Sequence, residues 1–393
     1  MAAKTTILII GAGPVGLFLA LRLAQAEISV VVLESLDHLQ DESKAMMQMP
    51  PTFPDYKKAG LYDAVHAASG KLHNTGVVFR KTTDHSIVEA LPAVPEKQGP
   101  FIVPQNVFCD ILVKKLAQLK SAQLLMGHRF ESMATSEAGV NVKVTTTDGT
   151  KKEFEAQYLV GADGGRGSVR KAAGINYQGE TLPAQLIATD VYYDFEKHGW
   201  FHGNFMIDPK NYGLVGPISD DGLWRVSFCV EDGMDQKDYE ALIPEKFEAM
   251  FPGPRPLDYK IKQIHPYRAQ QLCSETFRKG PILLAGDAAH LTNPYAGMGL
   301  TSGIFDSSSL AECLISHINR GAPDSLLDSW AAARRQAYLN VVDKVSRACY
   351  WAVQHPDADS IGDRHPMLKA AKAGPNFKPP SAATDVTTLD GYI

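Results

Sequence analysis

Several ordinary signposts are missing from this chain of 393 residues. No stretch reaches the roughly 18 consecutive apolar residues that a membrane-spanning helix needs. The apolar segment over residues 7–20 is interrupted by Gly11-Ala12-Gly13-Pro14 and preceded only by Lys4. It therefore lacks the unbroken centre and small-residue cleavage site of a secretory leader. Cysteine is scarce, with five residues and no CxxC pair, which gives zinc and dithiol chemistry no support and no metal ligand set. An odd number of widely spaced thiols suits a reducing compartment, and a cytoplasmic protein is expected. The formal net charge is −5 and no block of like charge occurs, so the footprint of a nucleic-acid-binding protein is absent. There is no internal repeat.

What remains is a globular composition, 45% hydrophobic and 21% charged, on a chain long enough for more than one domain. Residues 5–10 form a short β-branched apolar run, as in a buried parallel strand. The turn Gly11-Ala12-Gly13-Pro14-Val15-Gly16 follows, then a helical pattern through Ala26, then a second apolar strand, 30–33, ending at Glu34. This is a βαβ opening with GxGxxG spacing in the right context. Gly11 permits the tight turn, Gly13 lets backbone approach a pyrophosphate, and Gly16 lets helix pack on strand. The helix start at Pro14 and Val15 offers free N–H groups and a positive dipole end to phosphates. Glu34 can accept hydrogen bonds from ribose hydroxyls and would repel a 2′-phosphate, so the nucleotide held there is FAD or NAD.

Two further segments share one plan. Tyr158-Leu159-Val160 ends in Gly161-Ala162-Asp163-Gly164-Gly165. Ile282-Leu283-Leu284-Ala285 ends in Gly286-Asp287-Ala288-Ala289-His290 and continues through Pro294-Tyr295-Ala296-Gly297-Met298-Gly299-Leu300. Each is a buried strand delivering an aspartate to a glycine-rich turn before a helix. That geometry holds a polar ligand at the carboxyl edge of a sheet. An ordinary strand–turn–helix with aspartate as helix cap has the same pattern. Between these segments, residues 186–230 are strand-rich and aromatic, 237–250 read as helix, and 259–272 as strand. A hairpin is expected around Asp84-His85 and a long helix over 329–353. The proline-, glycine- and alanine-rich tail after 355 reads as irregular.

In order and spacing the three motifs resemble those of the class A flavoprotein monooxygenases, the para-hydroxybenzoate hydroxylase-like family, over roughly residues 5 to 350. The resemblance implies an α/β fold in which a Rossmann-like FAD-binding domain (1–75, 100–180 and 275–355) is interleaved with a smaller sheet-rich substrate domain (76–99 and 181–274), followed by an irregular tail (356–393). It implies bound FAD, NAD(P)H and O2 as cosubstrates, and hydroxylation of an aromatic molecule, phenolic or polyketide-like, through a C4a-hydroperoxyflavin. By the same resemblance the first motif holds the ADP part of FAD and Asp163 lies by the pyrophosphate. Asp287 binds the ribityl chain, and Gly297, Gly299 and Leu300 present backbone to the flavin pyrimidine. Lys44 stands where the family usually has arginine near the pyrophosphate, and Gln105 opens a helix at a flavin-contacting position. Pro294 lies beside the reacting ring, and Arg225 resembles an arginine touching flavin or nicotinamide. Met206 and Ser227, with Gly216, fall nearest the family's substrate-binding positions.

The chain departs from the family at Thr301, often Asn; at Met298, often Gln or Lys; and at Ala296, often Gly. The tyrosine and serine pattern for para-hydroxybenzoate is missing, so that substrate is not expected. A second GxGxxG is also missing, so the nicotinamide must share the flavin cleft. His202, Tyr212 and His290 are the candidate bases. Baeyer–Villiger insertion, epoxidation, simple reduction, or an FAD-binding protein without turnover stay open on the residues alone, as does the oligomeric state.

Overall fold

The computed structural model describes residues 3–41, 44–70, 72, 76–92 and 99–374. Along the chain, β1 (Ala3–Ile10), α1 (Pro14–Gln25) and β2 (Val30–Leu33) form the expected βαβ start. Strands β3 (Gly76–Lys81) and β4 (Ile87–Pro92) make the hairpin around His85. Helix α2 (Gln105–Leu116) leads to β5 (Ala122–Leu125). Strands β6 (His128–Ser136), β7 (Gly139–Thr146) and β8 (Lys151–Gly161) form an antiparallel run. Then come β9 (Tyr177–Tyr192), β10 (Gly203–Ile207), β11 (Gly213–Pro217), β12 (Leu223–Glu231) and β13 (Lys260–Ser274). The short β14 (Arg278–Lys279), β15 (Ile282–Leu284) and β16 (His290–Leu291) precede α3 (Met298–Arg320) and α4 (Ser325–Ala337). A π-helical turn at Tyr338–Val342 joins α4 to α5 (Asp343–Ala352).

Two large sheets result. The first runs β14-β15-β8-β1-β2-β5, with β7 and β6 added through β8. Its central pairs β15–β8, β8–β1, β1–β2 and β2–β5 are parallel. Strands buried on both faces need no polar alternation, which is why Ile7–Ile10 and Val30–Leu33 are apolar throughout. The second sheet runs β16-β13-β9-β12-β11-β10-β3-β4 and is antiparallel except where β10 meets β3. It too is covered on both faces. One face carries Ile187, Met206, Trp224, Val226 and Phe228 against the helices Gln236–Ala241 and Ile243–Met250. The other carries Leu186, Phe205 and Cys229 and packs against Tyr295 and against Cys349 and Tyr350 of α5.

Two expectations are corrected. The long helix over 329–353 is two α-helices joined by the π turn. The segment after 355 is not irregular as far as the described residues run: it forms helices Ile361–Arg364 and Pro366–Ala373, anchored by buried Ile361 and Leu368. Residues 375–393 lie outside the described residues. Among the described residues no helix is long and apolar enough to cross a membrane, and no group of three or more His, Cys, Asp or Glu side chains could hold a metal.

Candidate active site

Register brings the three motifs to one edge. Ile10 pairs with Leu33 and with Gly161, and Gly161 pairs with Leu284. The carboxyl ends of β1, β2, β8 and β15 therefore stop level, and each hands its chain to a turn on the same side. Ligands in open α/β sheets bind outside such strand ends.

In the first turn Gly11 and Gly16 are packing positions. A Cβ on Gly16 would lie 2.1 Å from the Gly11 carbonyl oxygen, and one on Gly11 would lie 2.4 Å from that of Ala162. Gly13 differs, because a Cβ there meets nothing within 4 Å. Gly13 also begins α1 with no side-chain cap, and Pro14 occupies the first turn. The amino end of α1, with Val15 and Gly16, thus keeps N–H groups for a ligand. Glu34 sits at the tip of β2. Its Oε2 accepts from Ala12 N at 2.9 Å, and its Oε1 accepts from Ser35 Oγ and Leu36 N at 2.9 and 3.0 Å. The carboxylate is thereby held beside the first turn.

Asp163 partly does what a helix cap does. Its Oδ2 accepts from Ser168 N, Ser168 Oγ and Val169 N at the start of a short helix, Ser168–Ala172. Its Oδ1 is buried without a partner, as are Thr292 Oγ1 in the third motif and Asn106 Oδ1 beside Gln105. Buried polar atoms rarely stay unpaired, so Asp163 Oδ1 and Thr292 Oγ1, both in the motifs at the strand ends, fit a polar ligand.

Asp287 is exposed, yet burial by surrounding protein raises its carboxyl above the usual range, against the opposing charges of His290 and Lys44. A group that solvent reaches but protein surrounds belongs to the wall of a cleft. Beyond it, Pro294–Ala296 form a single 3₁₀ turn capped by Asn293. Gly297, at φ +64°, starts α3 without a side-chain cap. No atom lies within 4 Å of a Cβ on Gly297, and only Thr292 Cγ2, at 3.8 Å, approaches one on Gly299. The amino ends of α1 and α3, Leu300 included, both open on this edge. Two uncapped helix starts, the space at Gly13 and Gly297 and the unpaired acceptors together fit FAD.

Lys44 is exposed within electrostatic reach of Asp287. The backbone N–H of Gln105 donates to Ala45 O, which ties α2 to this segment. Pro294 is half-buried.

The second sheet brings one correction, at Met206. Arg225, expected to touch flavin or nicotinamide, is buried on the face that also carries Ser227 and is held beside Lys44. It bonds Asp190 through Nε and Nη2 at 2.8 and 3.0 Å, and Nη1 donates to Lys44 O at 3.0 Å. Met206, expected in the cleft, lies on the opposite face, fully buried among Trp224, Val226 and Phe228. Its neighbour Phe205 faces the cleft side, since alternate residues of a strand point to opposite faces. Ser227 is on the cleft side, on the face against which Tyr267 packs. Of the candidate bases, His290 is buried against Asp306 and His202 lies at 3.6 Å from Glu196. Tyr212 belongs to a phenol cluster with Tyr350, Tyr295 and Cys229 in which burial raises its hydroxyl. Tyr267, Tyr295 and Phe205 were not singled out from sequence. The alternation Arg225, Ser227, Cys229 on β12 was the available signal.

The FAD-binding domain family matches residues 4–345. A para-nitrophenol 4-monooxygenase of Pseudomonas sp. strain WBC-3 is 32% identical over 367 residues, covering 91% of this chain and 89% of the relative. A 6-hydroxy-3-succinoylpyridine 3-monooxygenase of Pseudomonas putida is 30% identical, covering 87% of each chain. The crystal structure of a p-nitrophenol 4-monooxygenase from Pseudomonas putida superposes with a TM-score of 0.88 at 29% identity, over 96% of this chain and 95% of that one. The fold, the cleft at the strand ends and these matches agree: the chain belongs to the FAD-binding domain family and is an FAD-dependent aromatic monooxygenase.

Proposed function

We propose that this chain uses NAD(P)H and O2 to hydroxylate a small phenolic ring at the junction of its two sheets. The observation that carries this reading is the meeting of the third motif with one sheet face: Tyr295 packs against Cys229 and Tyr212, next to Pro294 and the amino end of α3. Clefts at such junctions are where ligands bind. The relatives covered over nearly their whole length act on single-ring hydroxylated or nitro-substituted aromatics, by their names, which favours a compact substrate over a polyketide.

FAD, when bound, supplies the acceptance of hydride and the activation of oxygen. This chain's residues do the rest. Gly11, Gly13, Pro14, Val15, Gly16 and Glu34 hold the adenosine and phosphate end, with Lys44 and Asp163 toward the pyrophosphate. Asp287 takes the ribityl chain, and Gly297, Gly299 and Leu300 place N–H groups and a helix dipole against the flavin pyrimidine. That dipole stabilises negative charge arising there. Ser227, Tyr267 and Tyr295 orient the phenol, and the apolar sheet face excludes water. The division into an FAD-binding domain and a substrate domain follows the two sheets. The five buried, unpaired thiols support a cytoplasmic setting.

The test is a panel of phenols scored for stimulation of NAD(P)H oxidation, with product masses. Single-ring phenols should accelerate oxidation and gain one oxygen, or exchange a nitro group for oxygen. Stimulation only by multi-ring substrates would overturn the compact-substrate reading.

A further inference from the structure

The third motif is held from beneath by a carboxylate that belongs to none of the motifs. Asp306 lies on α3, two turns beyond its amino end, and is fully buried. Its Oδ2 accepts from Gly286 N at 3.0 Å and from His290 Nε2 at 2.7 Å. Its Oδ1 accepts from Arg334 Nε of α4 at 2.8 Å. His290 is stacked between Phe277 and Tyr338, and the Tyr338 hydroxyl donates to Leu291 O. A buried carboxylate is tolerated when charged partners and donors fill its lone pairs, and here three segments do so.

Its neighbours on α3 reach the first motif as well. Ser307 Oγ donates to Val15 O at 2.9 Å. A Cβ on Gly303 would lie 2.6 Å from Val15 Cγ2, and one on Gly286 2.8 Å from the same atom. Gly286 sits at φ +60°, where glycine is favoured. One stretch of α3 thus touches the turn before Asp287 and the start of α1, while its own amino end opens on the cleft.

We infer that Asp306 is a positioning residue for FAD: its carboxylate ties the Gly286–Asp287 turn to α3, so Asp287 and the amino end of α3 meet the cofactor in one fixed relation. The inference rests on the reading that this turn holds FAD. Asparagine at 306 keeps the size but turns an NH2 toward an N–H donor. The turn must then shift, or a donor goes unpaired.

The matched control is Glu312, on the same helix and half a dozen residues further on. It is a buried carboxylate paired with Arg22 at 2.6 Å and with Lys58, and it does not contact the motifs. FAD dissociation constants, flavin midpoint potentials and thermal midpoints of the reconstituted holoenzymes are compared for Asp306→Asn, Glu312→Gln and Asp287→Ala. Both buried-carboxylate variants should melt earlier. Asp306→Asn alone of the two should weaken FAD binding by about tenfold or more, the loss of one charged hydrogen bond. Its midpoint potential should also move, since a tenfold difference between oxidised and reduced flavin affinity is about 30 mV for two electrons. An FAD affinity for Asp306→Asn within twofold of the parent, or an equal loss in Glu312→Gln, overturns the inference. If Asp287→Ala itself leaves affinity unchanged, the site reading fails instead. Should Asp306→Asn not fold, His290→Phe keeps the ring stack and removes one donor. An unchanged dissociation constant in that variant overturns the inference equally.

Discussion

Arg225 and Asp190 face each other across β12 and β9 and share two hydrogen bonds, Nε to Oδ1 at 2.8 Å and Nη2 to Oδ2 at 3.0 Å. Both side chains are buried, and the third arm of the guanidinium reaches Lys44 O. Removing Arg225 leaves the buried Asp190 carboxylate with the more distant His265, at 3.7 Å. Arg225→Leu should therefore cost about 3–5 kcal/mol, while Arg225→Leu with Asp190→Leu should recover most of it. Urea unfolding of both holoenzymes reads this directly. A single variant as stable as the parent would show that the pair carries no structural load.

Met206 and Phe205 separate the two faces of the second sheet. Met206→Ala should destabilise by about 2–5 kcal/mol, as truncations in a packed core do. It should leave KM for the phenol unchanged. Tyr267→Phe removes a hydroxyl from the face that carries Ser227 and Cys229; it should raise KM several-fold with normal stability and FAD content. Steady-state kinetics on variants of verified flavin occupancy decide, and a KM change in Met206→Ala would put the substrate on the wrong face.

How far the sequence carries depends on whether a signal is local. Glycines and aspartates at strand ends are local, so the three motifs and the edge they share are legible in the residues alone. The faces of the second sheet are not. β10 is buried along both sides, so its residues are apolar or paired on each, and period-two alternation carries no sign to tell Met206 from Phe205. The partner of Arg225 lies 35 residues away, and only strand register brings Asp190 to it. Asp306 hides in a helix whose small residues suggest close packing and nothing more. The Ala- and Pro-containing segment before residue 374 reads as irregular because its helices are short. Burial of Ile361 and Leu368, not propensity, holds them.

Gly13 and Gly16 should respond in opposite ways. A methyl at Gly16 collides with backbone at 2.1 Å, whereas one at Gly13 enters open space. Gly13 has φ −73° and ψ 177°, which any residue can adopt. Gly13→Ala should leave apo stability within about 0.5 kcal/mol and weaken FAD binding by about tenfold or more, since the methyl occupies the cofactor's approach. Gly16→Ala should lose the fold and the cofactor together. Apo-protein melting alongside flavin fluorescence titration separates the two, and a destabilised Gly13→Ala with unchanged affinity would contradict the assignment.

His365 makes stability depend on pH in a definite direction. Its ring is fully buried, edge-on to Phe79 at 4.6 Å and Phe205 at 5.4 Å, and neither nitrogen has a partner. Burial disfavours the cation and pushes its pKa down to about 4. The unfolded chain, with an ordinary histidine near 6.5, binds the proton more readily. Stability from the neutral ring is fully present above pH ~6.5 and is lost as pH falls from there toward ~4, by up to about 3 kcal/mol. Neighbouring Lys372 pairs with Glu89 and Asp363 at the surface, and those carboxylates titrate in both the parent and a variant. His365→Leu keeps the apolar contact and removes the titration. Between pH 7.5 and 4 the parent's stability should fall more steeply than that of His365→Leu, the difference opening below pH ~6.5. Parallel curves across that range would mean that the ring takes up its proton in the fold as readily as in the unfolded chain.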